Sequence, residues 1–274
     1  MIKDIKLQLK NGINEKEFKA ISFILFLVFS IPIFVEYSKI YNYPFINSFM
    51  DYFIFRNTSY FYVVEPFYVF MPIISMTLFS FSKWKNKKNG MDDLMLTRMG
   101  KKRYYLSLFW ANFISAFTVI LIFSLFNLIC VRIAFPYEGT DSLYANTAYN
   151  LIDKYRPEMS FENFRMISNE LYLFAKITFT SFAFGTISNF AYVLSFSKIL
   201  KKINFIILVF GVFLSLFILA FISEMIDINY LNYINYFRVD EIISTWLIIT
   251  VFLLIFIVEF LFLNFRLKSY ENID

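Results

Sequence analysis

Very few side chains in this sequence can carry acid–base, nucleophilic or metal chemistry. His is absent from the 274 residues, which removes the usual general base and the commonest zinc ligand. The single Cys, Cys130, can form neither an internal disulfide nor a thiolate metal cluster. The six glycines fall at positions 12, 90, 100, 139, 185 and 211. None has the spacing of a G-x-x-x-x-G-K-S/T loop, so this chain does not hydrolyse ATP by that route. No catalytic residue, metal site or bound cofactor is expected. What remains is three charges set in apolar runs: Glu65, Lys176 and Glu259. Charge inside hydrocarbon is costly, so these are the candidate pathway or gate residues. Glu259 pairs with a basic residue near one interface, stays protonated at an interhelical contact, or lines a transport path. Glu65, just before Pro66, faces an outward cavity or outer water. Lys176 snorkels toward the outer surface, and a Glu65–Lys176 pair is open to it.

The elements that must position these charges are membrane spans. The chain is 59% hydrophobic and 17% charged, with mean hydropathy +0.59. Soluble domains carry roughly 25% charge and 45–50% apolar residues. The expected fold is therefore all-α, a polytopic membrane protein, because an open strand in lipid leaves its backbone amides without partners. A span needs about 20 apolar residues, and six segments qualify: about 18–40, 63–81, 104–131, 171–196, 203–222 and 242–265. Pro32 is expected to bend the outer turn of the first. The first apolar run follows a mixed-charge start with no small-residue cleavage site, so no cleaved signal peptide is expected.

Most of the 26 Lys and Arg residues fall in the first 19 residues, in 82–103, around 198–202 and after 265. If those segments face the cytoplasm, the positive-inside bias places both termini there, in a multi-pass protein of the cell membrane. Tyr37, Tyr104, Tyr105, Tyr172 and Trp246 then sit at interfaces. Cytoplasmic Lys residues facing anionic lipid account for the net charge of +5, so no nucleic-acid partner is called for. The 20–274 region forms one transmembrane domain. Residues 1–19 read as an amphipathic interfacial helix, with Ile2, Ile5, Leu9 and Ile13 on one face and Lys3, Lys6 and Lys10 around it. In the outer loop 132–170, Tyr144, Ala148, Leu151 and Tyr155 share a helical face. Ser160 is positioned to cap a helix running on into the fourth span, with Glu162 in its first turn.

The cytoplasmic loop 82–103 is patterned. Asp92 and Asp93 stand where a short helix begins, Leu94, Met95, Leu96 and Met99 give it an apolar side, and Gly100 stops it. Exposed Leu and Met on a surface helix call for a covering partner. Six spans with both ends inside, an amphipathic N-terminal helix and the string MDDLMLTRMGKKRYYLSLFWANF (91–113) resemble the permease subunit of type-two ABC exporters. The resemblance implies that 82–103 is a coupling loop. It implies that Asp92, Asp93, Leu94, Leu96 and Arg98 dock on an ABC ATPase subunit, and that ATP and Mg are bound on that partner. A second permease chain, identical or a sister subunit, would complete the pathway in the bilayer. It also implies a structured element between spans five and six, for which Glu224 to Glu241 fits in length. Aromatic, apolar spans and an acidic outer surface suit a hydrophobic or amphipathic cargo, a cationic antimicrobial or signalling peptide first. The competing class is a non-transporting membrane immunity or sensor protein. An intramembrane protease is disfavoured, since no His is present and every Asp falls in an expected loop or tail.

Overall fold

In a computed structural model, every regular element among the described residues is helical. The structure describes residues 1–39, 48–55, 61–79, 91–137, 160–197, 200, 203–238 and 243–271. The α-helices in chain order are α1 (Ile2–Ile13), α2 (Lys16–Lys39), α3 (Phe61–Leu78), α4 (Met91–Met99), α5 (Lys101–Ala134), α6 (Glu162–Arg165), α7 (Asn169–Leu194), α8 (Phe205–Met225) and α9 (Thr245–Glu271). Short 3-10 turns cover Phe49–Tyr52 and Asn229–Leu231.

Five of these helices, α2, α5, α7, α8 and α9, are long and apolar enough to cross a bilayer. The chain is thus an all-helical protein of membrane-spanning type. The second expected span is the shorter α3, apolar over Val63–Leu78 and carrying Pro66 and Pro72. Each proline removes an amide donor, so neighbouring helices must hold α3 in place. They do: α3 packs on α2, α7 and α8. The longest helix, α5, has 34 residues, about 50 Å at 1.5 Å per residue. It therefore outruns the hydrocarbon and extends past it at one or both ends.

The core is built around α7, which packs on α3, α5, α8 and α9. At the α5–α7 contact Gly185 and Ser188 of α7 lie against Phe113 and Asn112 of α5, with the Ser188 hydroxyl 3.4 Å from the Asn112 carbonyl oxygen. Small side chains let two backbones approach where lipid supplies no hydrophobic drive. Gly185 marks the closest approach, since a Cβ there would lie 3.1 Å from the Phe113 carbonyl oxygen. Phe rings fill the remainder, with Phe113 touching both Phe182 of α7 and Phe256 of α9 at centroid distances of 5.7 and 5.0 Å.

Two expectations at the segment ends are corrected. The helix expected to start at Ser160 and run into the fourth span is interrupted. A single turn, α6, starts after Phe161, which takes a left-handed φ of 66°. The chain then breaks at Met166 and Ile167, and Ser168 caps α7 by accepting the Leu171 amide at 3.0 Å. Ser168 wins because its own backbone is extended, as a cap requires. Residues 1–19 are likewise not one helix: α1 ends at Ile13 and α2 begins at Lys16. The cluster Tyr144, Ala148, Leu151 and Tyr155 lies outside the described residues.

Candidate functional site

Three places gather polar or charged side chains, and each follows from local sequence. The first is a platform at the end of the bundle where α1, α4 and the start of α5 meet. Gly100 separates α4 from α5 at φ 75° and ψ 146°, a region that suits glycine and strains other residues. Its amide closes α4 on the Leu96 carbonyl at 2.9 Å, and its carbonyl accepts the Tyr104 amide of α5 at 3.1 Å. One residue thus ends one helix and starts the next. Asp92 and Asp93 stand in the first turn of the α4 backbone, and the side chains of residues 91–94 lie outside the described residues. Arg98 is exposed, while Met95, Leu96 and Met99 are half-buried against the chain's own core. The apolar side of α4 is therefore covered in part from within.

α1 lies against the same platform. Asp4 accepts from Arg103 at 3.1 Å and from the α-amino group at 3.1 Å. The hydrogen bond from that amino group, with Arg103 beside it, holds the Asp4 carboxyl below the usual carboxylate range. Gln8 and Gly12 follow one and two turns along the same row and are buried. A Cβ at Gly12 would stand 2.1 Å from the Phe79 ring, so a larger residue there would have to displace that ring. The expected single apolar face is divided. Ile5 and Leu9 turn toward the core, whereas Ile2, Leu7 and Ile13 stay exposed beside the lysines. The reason is that α1 has two surroundings to satisfy, the bundle on one side and the exterior on the other.

The second place is the opposite end. Lys176 is fully buried, where snorkelling was expected. Its ammonium lies 5.3 Å from the Phe161 ring centroid and donates to Ser160 Oγ at 3.5 Å. The turn that carries Ser160 and Phe161 is itself pinned: the Phe161 amide donates to Thr245 Oγ1 at 2.7 Å, and Arg165 bridges the buried Glu162 at 3.1 Å. Glu65 forms an ion pair with Arg238, 3.5 Å from Nε to Oε1. Arg238 belongs to the segment between α8 and α9, the stretch in which a structured element was expected. That segment is ordered by Tyr233, which donates to the Val69 carbonyl at 2.7 Å, by Tyr236, which donates to the Tyr230 carbonyl, and by buried Phe237 stacked on Tyr68 at 5.5 Å. Burial pushes both the Tyr233 and Tyr236 phenols upward, so each remains a donor at neutral pH. Tyr172 is buried within the protein too, where an interfacial position was expected.

The third place is a polar seam in the middle of the bundle. Asn112 of α5 donates through Nδ2 to the Ser188 carbonyl at 2.7 Å and to Asn189 Oδ1 at 2.9 Å. Both its amide hydrogens are used, tying α5 to α7 at a depth where no water competes. Glu259 lies on the buried stripe of α9 with Phe252, Phe256 and Leu263. Among the described residues, neither Glu259 oxygen has a hydrogen-bond partner. Sequence reasoning found the charge but not the neighbouring amides, since a single Asn in an apolar run gives no signal of which face it occupies. A third Asn, Asn127, performs a structural task. It donates to the Phe29 carbonyl of α2 at 2.7 Å and accepts the Ile54 amide at 3.3 Å.

No protein-family model, curated protein or solved structure matches this chain. The residues must therefore carry the functional reading themselves. No cluster able to hold a metal ion occurs among the described residues. What the arrangement can do is mechanical: a short end helix joined through Gly100 to the longest helix, and polar groups held between helices.

Proposed function

We propose that the chain is the membrane-spanning permease subunit of an ATP-driven exporter, with six spans, α2, α3, α5, α7, α8 and α9, and both termini in the cytoplasm. The observation that carries the reading is the α4–Gly100–α5 joint. A short surface helix ends in a residue that also starts the long helix α5, which packs on the central helix α7. A push on α4 therefore has a stiff lever into the bundle. Arg98 stands exposed on α4 for a partner, and Asp92 and Asp93 occupy its first turn, where acids favour the helix dipole. The partner is an ATPase subunit that holds ATP and Mg. A second permease chain encloses the path for a hydrophobic or amphipathic cargo, and cationic peptides are the first class to try. α1 buttresses the joint through Asp4–Arg103, and Ile2, Leu7 and Ile13 meet lipid beside the lysines.

The adjacent reading frame supplies the first test: it should encode a Walker A loop and a Walker B Asp. Co-expressed with that ATPase and reconstituted in liposomes, the full chain should raise ATP turnover. The Asp92→Lys/Asp93→Lys variant should abolish that rise or the association itself. Unchanged association and turnover in the double variant would overturn the docking role of α4. Labelling of residues 91–100 only from the cell exterior would overturn the topology.

A further inference from the structure

The far end of α5 carries a cation that neither the platform nor the seam uses. Arg132 is exposed in the last turn of α5, and among the described residues it forms no ion pair. Its guanidinium carbon stands 4.5 Å from the Phe49 ring centroid and 4.2 Å from that of Tyr137. Those two rings are only 5.5 Å apart, so both lie on one side of the guanidinium and leave the other side open. The rings are held in turn. Phe49 is buried and its amide donates to the Pro136 carbonyl at 2.9 Å, while the Tyr137 hydroxyl donates to Glu170 at 3.1 Å. A long side chain resting on a fixed aromatic floor has fewer rotamers to lose, and its planar fork of donors is already set for an oxyanion.

Depth identifies the anion. Arg103 and Arg132 lie 29 positions apart in one unbroken helix. At 1.5 Å per residue that is about 44 Å, against roughly 40–45 Å for a bilayer with its headgroup layers. With α5 upright and Arg103 among the headgroups of one leaflet, Arg132 lies among those of the other. An exposed apolar stripe leads up to it at helical spacing, through Ile122, Phe126, Ile129 and Ile133. Ile133, beside Arg132, is 81% exposed. An apolar stripe that ends at a cation matches one phospholipid, with a chain along the helix and the phosphate at its end. We propose that Arg132 binds the phosphate of one phospholipid whose acyl chain lies on this stripe of α5. The inference needs only α5 in a bilayer and holds whether or not an ATPase is the partner.

A second copy of the chain is the rival occupant of the stripe, and charge argues against it. Carboxylates at this end are largely engaged within the chain: Glu36 by Lys39, Glu65 by Arg238, Glu162 by Arg165 and Glu224 by Asn232. Glu170, which takes the Tyr137 hydroxyl, makes no ion pair with Arg132. A bilayer brings a phosphate to that depth on every side of the helix. The Arg132 fork can then donate two charge-assisted hydrogen bonds to one phosphate while its opposite side stays on the rings.

Native mass spectrometry of the full chain in detergent tests this, with phosphatidylglycerol as the probe. One lipid should bind more tightly than those that follow. Arg132→Gln should weaken that first step about tenfold, the worth of a hydrogen bond to a charged group. Lys39→Gln, which removes an exposed charge from the same end, should leave it unchanged. Glycerophosphoglycerol and inorganic phosphate, at the lipid's concentration, should not displace it, since neither has a chain to lie on the stripe. An unchanged first step in Arg132→Gln would overturn the site, as would an equal loss in Lys39→Gln. Displacement by either chain-free phosphate would assign Arg132 to a soluble anion and overturn the lipid. A dimer that carries no lipid and that Arg132→Gln dissociates would give the stripe to a second copy and overturn it too. Should Arg132→Gln fail to assemble, the competition measured on the unchanged chain still decides the matter.

Discussion

Helices α7 and α8 have similar length and opposite surroundings. In α7, 78% of the span is buried inside the protein, and in α8 22%. α7 carries Lys176, Thr180, Ser181, Thr186, Ser188 and Asn189, all buried. α8 is the more apolar of the two, and its exposed side chains include Ile207, Phe210, Leu214, Ile218 and Phe221. The rule of soluble proteins is reversed. When the surroundings are hydrocarbon, apolar residues gain little by turning inward, and polar residues must do so to find partners. The polar helix is the central one, and it is where the chemistry of the molecule is concentrated.

The sharpest way to break this comparison uses one glycine from each helix. At Gly185 of α7 a Cβ would meet Phe113 from 2.9 Å, with the Phe113 carbonyl oxygen at 3.1 Å. Gly185→Leu should push α5 from α7 and cost about 3 kcal/mol, the upper range for overpacking. Thermal denaturation in detergent checks it, and a loss no larger than that at an exposed α8 position would remove α7 from the centre. Next in size is Asn112→Leu, which leaves Asn189 Oδ1 without its donor. Intramembrane hydrogen bonds average well below those expected in vacuum, so about 1–2 kcal/mol is the expected loss. The matching change on α8, Ser215→Leu, should alter stability by less than about 0.5 kcal/mol.

These contrasts also show why some features could be read from the sequence and others not. Depth along a span is written in charge spacing. The first, third, fourth, fifth and sixth spans were all expected within a few residues of α2, α5, α7, α8 and α9. Azimuth is not written so clearly, because lipid and protein interior are both apolar and the periodic signal fades. Lys176, expected to snorkel, is buried instead. The seam residues Asn112 and Asn189 passed unnoticed for the same reason. Pairing was legible only where it is local. Asp92, Asp93 and Gly100 announced α4 and its end, whereas Glu65 with Arg238 joins residues 173 positions apart in chain order, and no spacing rule relates them. Ser160 and Ser168 are equally good caps by residue type, and what sets Ser168 apart is its extended backbone, after the left-handed Phe161 has interrupted the chain.

The platform offers a further change. Gly100 has open space around its Cβ position, yet its φ is 75°, so Gly100→Ala meets strain without any clash. The expected loss is about 1–2 kcal/mol. Its distinguishing mark is local: amide exchange in α4 should rise while exchange in α7 stays unchanged. A rise shared by both helices would mean that the joint and the core are one cooperative unit.

A last change completes the glycine pair. Gly211 of α8 also has nothing within 4 Å of a Cβ, and its φ is ordinary for a helix. Ala there removes backbone freedom from the unfolded chain and adds only a methyl group facing the exterior. Gly211→Ala should therefore stabilise the protein by about 0.5–1 kcal/mol, read as a rise in Tm. The same substitution would destabilise if another helix pressed on Gly211, as α5 presses on Gly185. A second copy packed on α8 in the membrane supplies that case. Measured in detergent-solubilised monomer and again in lipid, Gly211→Ala should keep its sign if this face of α8 meets lipid alone. A reversal confined to lipid would place a neighbouring helix against it.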